Sequence, residues 1–347
     1  MPAYQHIGDP AAWSSKAFAT KDDFAFDLTP AHVAALERAA DRTKGVEIPA
    51  IGPSDFDLAP IAEDVARLRA VLTRGRGVVL LRGIPVGSSD TETIARMYWG
   101  LGTHLGRAVS QSLMGDRMGH VIDASRGAEH ARGYRSSREL SPHTDSDDIV
   151  GLLCIRPAKA GGESLLASSL AIHNALLEEQ PQHLGPLYRG FRYHWNGEEP
   201  PGEPPITPYE VPVFSEADGL WSTVYLRYFM DKAAEEAGGH PEADRCALDA
   251  FDAMAVREDI QLRFRMEPGE AILFNNYTML HARTAFQDHE DPAKCRHLLR
   301  LWLQARPPRP VHPAIRRYYG QDGMPQQDRG RERYAGDTMG DKKTAAE

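Results

Sequence analysis

Ser141-Pro142-His143-Thr144-Asp145-Ser146-Asp147-Asp148 runs directly into Ile149-Val150-Gly151-Leu152-Leu153-Cys154-Ile155. The first part is polar and turn-forming, and the apolar run that follows reads as a strand. On a loop flanking a strand, side chains two positions apart can converge on one ion. His143 and Asp145 have that spacing, with a carboxylate and an imidazole as donors.

Downstream, Ala271-Ile272-Leu273-Phe274 reads as a second strand, entered through a Pro268-Gly269 turn and broken by Asn275-Asn276. A short second run, Tyr277-Thr278-Met279-Leu280, ends in His281. Two imidazoles and one carboxylate are the donor set of the facial triad of non-haem Fe(II) oxygenases, which leaves three metal positions open for chemistry. Each piece also has a plainer explanation. His-x-Asp recurs by chance, and a buried histidine is often just hydrogen-bonded.

Arg296-His297-Leu298-Leu299-Arg300-Leu301-Trp302-Leu303 alternates. At a period of two, Arg296, Leu298, Arg300 and Trp302 share one face, while His297 joins the leucines on the other. Two guanidinium groups facing a packed interior need anionic partners, because an unpaired buried cation carries a severe desolvation cost. Internal salt bridges, to Asp147 or Glu163 for example, satisfy that need for one arginine more easily than for two. A bound dicarboxylate is the other solution, since a guanidinium grips a carboxylate through two parallel hydrogen bonds.

Taken in order, these motifs resemble the taurine dioxygenase (TauD/TfdA) family of Fe(II)/2-oxoglutarate-dependent oxygenases. The resemblance spans roughly residues 75 to 305. It runs through Gly77-Val78-Val79-Leu80-Leu81-Arg82-Gly83, His143-Thr144-Asp145, Gly161-Gly162-Glu163-Ser164, His281-Ala282-Arg283-Thr284-Ala285-Phe286 and Arg296 to Trp302. It implies that His143, Asp145 and His281 bind iron. It also implies that Arg296, assisted by the Ser164 hydroxyl, holds the distal carboxylate of 2-oxoglutarate, and that Arg300 points toward the substrate. The family usually has Thr where Ser164 stands, and the stretch from His281 to Arg296 is longer than usual, so the two arginine roles are exchangeable at this stage.

The fold so implied is a double-stranded β-helix (jelly roll) core of the clavaminate synthase type, mainly β with helical additions (α+β). The many short strands after residue 145 suit it. The implied reaction consumes O2 and 2-oxoglutarate, releases succinate and CO2, and hydroxylates a small organic substrate. Desaturation, ring closure and C–S or C–O cleavage use the same ligands. Asp145 argues against a halogenase, in which a small residue replaces the carboxylate. If Arg300 projects into the pocket, it favours a substrate bearing a carboxylate or sulfonate. Asn276, with Asn275, Tyr134 and Arg135, is candidate polar lining, although turn formation explains the asparagines equally well. Two rivals stand beside this expectation: a non-redox cupin-type metal hydrolase or isomerase, and a non-catalytic jelly-roll binding protein. Both leave the arginine pair underused.

The chain has 347 residues, enough for one large core. The expected division is an N-terminal helical extension over 1–55, an oxygenase domain over 56–306, and a partly disordered tail over 307–347. Forty-nine acidic against forty basic residues leave a net charge of −9, with no general attraction for nucleic acid or anionic membrane. Three widely spaced cysteines, Cys154, Cys246 and Cys295, suggest reduced thiols rather than a disulfide framework. The first twenty residues lack a secretory pattern and no apolar stretch reaches membrane-spanning length, so a cytoplasmic enzyme is expected, compatible with a homo-oligomer.

Helices are predicted over about 30–42, 59–72, 91–101, 169–180 and 241–255. Further strands are predicted over 78–81, 165–167, 210–214, 220–227 and 261–266. The acidic, proline-rich stretch 196–208 reads as either a lid or a semi-rigid surface connection. The tail is expected to be mostly disordered or draped over the surface, with a short helix over 315–319.

Overall fold

The computed structural model describes residues 4–123, 136–315 and 322–327. Its strands, numbered in chain order, form two sheets and two short pairs. The larger sheet contains β1 (Ala25–Asp27), β2 (Val78–Arg82), β3 (Gly106–Ala108), β4 (Met118–Val121), β6 (Ile149–Arg156), β12 (Ala271–Asn275) and β15 (His297–Ala305). Its order is β1-β2-β12-β6-β15-β3, with β4 also paired to β15. The smaller sheet contains β5 (Leu140–His143), β8 (Ser164–Ser168), β11 (Gln261–Phe264) and β13 (Met279–Arg283), in the order β11-β8-β13-β5. β7 (Ala160–Gly161) pairs with β14 (Phe286–Gln287), and β9 (Phe214–Ala217) with β10 (Leu220–Thr223).

Alternation along the strands decides the layers. Inward-facing Val78, Leu80, Val150, Cys154, Ile272, Phe274, Leu298 and Trp302 of the larger sheet meet Leu166, Leu262, Phe264 and Met279 of the smaller one in one core. The opposite face of the larger sheet, through Leu81, Leu153, Leu273 and Leu301, is covered by α1 (Pro30–Arg42), α2 (Ala62–Arg74) and α3 (Thr91–Leu105). Thr29 caps α1 with Pro30 in its first turn, and the Asp90 carboxylate caps α3. Behind the smaller sheet, Ala167 and Leu280 pack with α4 (Ser169–Glu179), α5 (Leu184–Arg189), α6 (Arg227–Glu236) and α7 (Glu242–Ala255).

Several expectations shift. The predicted strand 220–227 stops at Thr223, because Tyr225 turns away to exchange bonds with Thr144, and α6 follows at Arg227. That helix buries only Met230 and Ala233, too sparse a pattern to register as helical periodicity. The strand placed at 210–214 is a single bridge at Val211 followed by β9, since Pro212 has no N–H to extend a ladder. The described parts of the tail are anchored rather than loose. Val311 and Ile315 are buried against the helices behind the smaller sheet, and Gly323 bridges Ser110. Most of the helix expected over 315–319 lies outside the described residues, as do Tyr134 and Arg135. Among the described residues, no helix is long and apolar enough to cross a membrane.

Candidate metal and cosubstrate site

β5 and β13 bring the two histidines together. They pair antiparallel with His143 directly opposite His281, and the ring centroids lie 4.2 Å apart. β5 is the edge of its sheet, which is why Pro142 is tolerated inside a strand rather than ending one. Asp145 follows just beyond β5, and the Oδ atoms face both rings: His143 Nε2 is 3.9 Å from Oδ1, and His281 Nε2 is 3.5 Å from Oδ2. One donor atom from each of the three residues falls within 4.8 Å of the others, the only such His/Cys/Asp/Glu group among the described residues.

The bonds around these donors set their protonation. His143 Nδ1 lies 2.8 Å from the Ser141 carbonyl and donates to it, which leaves Nε2 as the nitrogen turned to Asp145. Burial pushes His281 down to about 3, with His143 adding to the effect, so its imidazole is neutral near pH 7. Burial alone would raise the Asp145 carboxyl; Arg300, the two imidazoles and the Trp302 indole outweigh it and hold the group at about 2. Two imidazoles and a carboxylate are what a divalent cation of the iron type requires.

Asn276 holds the Asp145 loop rather than lining a pocket. It is fully buried, accepts from Asp145 N at 2.8 Å, and donates to the carbonyls of Asp145 and Asp147 at 3.0 and 2.7 Å. Its role as substrate lining is therefore corrected. Its amide is spent on backbone groups that would otherwise be unsatisfied in the interior. Asn275 is likewise occupied, donating to Leu72 O and accepting from Tyr277 N.

The two arginines part company. Arg300 donates from Nε to Gln111 Oε1 at 2.7 Å, and its Nη1 lies 3.5 Å from Asp145 Oδ2. Arg296, one residue before β15, stacks over Phe286 at 5.1 Å, and its buried Nη1 has no hydrogen-bond partner among the described residues. Burial pushes Arg296 down to about 10, which leaves it a cation at neutral pH. The salt bridges considered from sequence do not form. Glu163 is taken by Arg263, and burial with neighbouring Asp148 pushes Asp147 up to about 8, so it is mostly uncharged at pH 7. A buried guanidinium nitrogen left unsatisfied among the described residues fits a carboxylate supplied from outside.

Consecutive left-handed residues shape the Arg296 side of the site. Gly161 and Gly162 have φ of +69° and +70°, and a side chain on Gly161 would strike the Ala285 carbonyl. A Cβ on Gly162 would sit 3.5 Å from Arg296 Nε, so the turn lies against the guanidinium, and partly buried Ser164 opens β8 two residues later. Arg283 donates from Nη2 to the backbone carbonyls of Ser136 and Arg138, where the chain enters β5, while its buried Nε and Nη1 have no hydrogen-bond partner among the described residues.

A model of the Taurine catabolism dioxygenase TauD, TfdA family matches residues 42–302. The chain belongs to this family. Its members are non-haem iron enzymes that use 2-oxoglutarate, and this protein is such an oxygenase. It is 38% identical over 246 residues to FR-33289 synthase from Streptomyces rubellomurinus, covering 69% of this chain and 72% of that one. A Uridine-5'-phosphate dioxygenase from an Amycolatopsis species is 29% identical over 160 residues, covering 46% of this chain and 55% of that one. An asparagine oxygenase solved with Fe(II), 3-hydroxyasparagine and succinate shares the fold at a TM-score of 0.63 and 20% identity, over 81% of this chain and 93% of that one. The oxygenase OrfP, solved with Fe and alpha-ketoglutaric acid, does so at 0.58 and 14%, over 80% and 93%.

Sequence reasoning missed two residues at this TauD/TfdA site. The alternation puts Trp302 on the inward face of β15, yet nothing in it says that the indole reaches Asp145, 2.7 Å away. Gln111 follows β3 in irregular backbone and gave no periodic signal at all.

Proposed function

We propose that this TauD/TfdA oxygenase holds Fe(II) through His143, Asp145 and His281. Arg296, assisted by Ser164, grips the distal carboxylate of 2-oxoglutarate, and Arg300 faces the substrate. The facing sheets are the two halves of a jelly roll. The substrate is a small organic anion, and the outcome is hydroxylation with release of succinate and CO2. Bound there, iron and its keto-acid partner supply the oxidising power, drawn from O2, that breaks a substrate C–H bond. The protein ligates, orients and excludes bulk water.

The observation that carries this assignment is the meeting of two imidazoles and a carboxylate within 4.8 Å, in a fold that also buries an Arg296 Nη1 with no partner among the described residues. A non-redox metal hydrolase needs the triad and leaves that cation unanswered. The anionic substrate is supported by Arg300 and by the relatives, whose named ligands carry a carboxylate or a phosphate: hydroxyasparagine for the asparagine oxygenase and uridine-5'-phosphate for the Amycolatopsis enzyme.

The test is an anaerobic titration of the purified protein with Fe(II) and 2-oxoglutarate. A visible charge-transfer band and stoichiometric binding are expected, with succinate release on admitting O2 in the presence of candidate carboxylates, sulfonates and phosphate esters. Asp145→Ala should lose metal affinity by about 100-fold or more and abolish the band. Turnover under argon without 2-oxoglutarate would end this assignment.

A further inference from the structure

Trp302 is only 3% exposed and faces the core between the sheets, yet it is not merely a packing residue. Its indole N–H, which must find an acceptor once buried, donates to Asp145 Oδ2 at 2.7 Å. Arg300 Nη1 approaches the same oxygen at 3.5 Å, and the Arg300 guanidinium lies over the Trp302 ring at 4.7 Å. Oδ2 is therefore held by an indole donor and a cation on one side of the carboxylate. Oδ1 is turned to His143 Nε2 at 3.9 Å, and Oδ2 also lies 3.5 Å from His281 Nε2, so both oxygens face a ligand imidazole and only Oδ2 is claimed by the indole.

We propose that Trp302 is a positioning residue of the metal centre: its N–H occupies Asp145 Oδ2, so that the carboxylate ligates through Oδ1 alone. The consequence follows from coordination counting. Two imidazoles and one carboxylate oxygen leave three of six positions, whereas a chelating carboxylate would take one of those that the keto acid and O2 require. The indole thus keeps a flexible ligand from consuming the site. The inference rests on the assignment of His143, Asp145 and His281 as the ligands.

Trp302→Phe keeps most of the ring and deletes the donor. The full-length variant and the unaltered protein are titrated anaerobically with Co(II), without 2-oxoglutarate, and followed by visible absorption, with circular dichroism as a check on folding. A folded variant is expected to bind Co(II) about tenfold to hundredfold more weakly, with ligand-field bands shifted in position and intensity. The same bands and the same Kd in both proteins would overturn the proposal. If the unaltered protein itself fails to bind Co(II) or Fe(II) stoichiometrically, the ligand assignment falls and the proposal with it. Should the variant not fold, the proton chemical shift of the Trp302 indole N–H in the unaltered, Zn(II)-loaded protein decides. A resonance well downfield of a free indole N–H supports the Asp145 contact, and a shift at the free-indole position overturns it.

Discussion

Arg296 and Arg300 sit four residues apart on one strand approach, and the structure gives them different surroundings. Arg300 already has Gln111 and Asp145; Arg296 has a buried Nη1 with no hydrogen bond among the described residues. A charge-assisted pair contributes about 1.5–3 kcal/mol, so Arg296→Ala should raise the KM for 2-oxoglutarate about 10- to 100-fold while leaving Fe(II) affinity nearly unchanged. Steady-state succinate release against 2-oxoglutarate concentration measures it. If Arg300→Ala produced that defect instead, the two roles would be exchanged. At this scale the grouping of His143, Asp145 and His281 was legible, because donor chemistry belongs to a residue type wherever it sits. Asn276 was not, because whether an amide faces a pocket or braces a loop depends on which backbone groups surround it. Here three of them do.

Among the elements, β5 and the C-terminal segment carry the most information that periodicity could not. β5 is a strand only because β13 lies beside it; its own sequence, with Pro142, reads as a turn. The segment 322–327 is held to the stretch after β3. Ser110 N donates to Asp322 O, Met324 N to Ser110 O, and Gln327 N to Leu113 O, while Asp322 pairs with Arg107 and Arg117. It thereby supports Gln111, the partner of Arg300. A chain truncated after Ile315 should retain the Fe(II)–2-oxoglutarate band. It should lose about 2 kcal/mol of stability, chiefly from buried Met324, and show faster amide exchange across 109–117. Unchanged exchange in that stretch would show that the segment does not hold it. The stretch 196–208 is tied down in a similar way, through Trp195 N to Pro205 O and Gln327 Nε2 to Glu199 O. Its many prolines made the absence of regular structure predictable but not its partners.

In the molecule as a whole, the site and the core between the sheets are one structure. Phe274, fully buried on the larger sheet, has its ring 5.0 Å from the His281 ring on the smaller one. Phe274→Ala should cost about 3–5 kcal/mol by leaving a cavity between the sheets. It should also weaken Fe(II) binding, because His281 would lose the wall that fixes its ring. Chemical denaturation and anaerobic metal titration measure the two effects, and loss of stability with undiminished metal affinity would show that the sheets and the site are independent.

The sequence by itself determined the donor set, the strand faces and most helices. These follow from local chemistry: residue type sets what an atom can ligate or donate, and the period of apolar residues sets which face is buried. Only the tertiary structure decided that His143 lies opposite His281, that Trp302 reaches Asp145, that Asn276 is a brace, and that the tail supports Gln111. Each of those is a contact between residues far apart in the chain, set by strand register and sheet packing, which no single stretch of sequence contains.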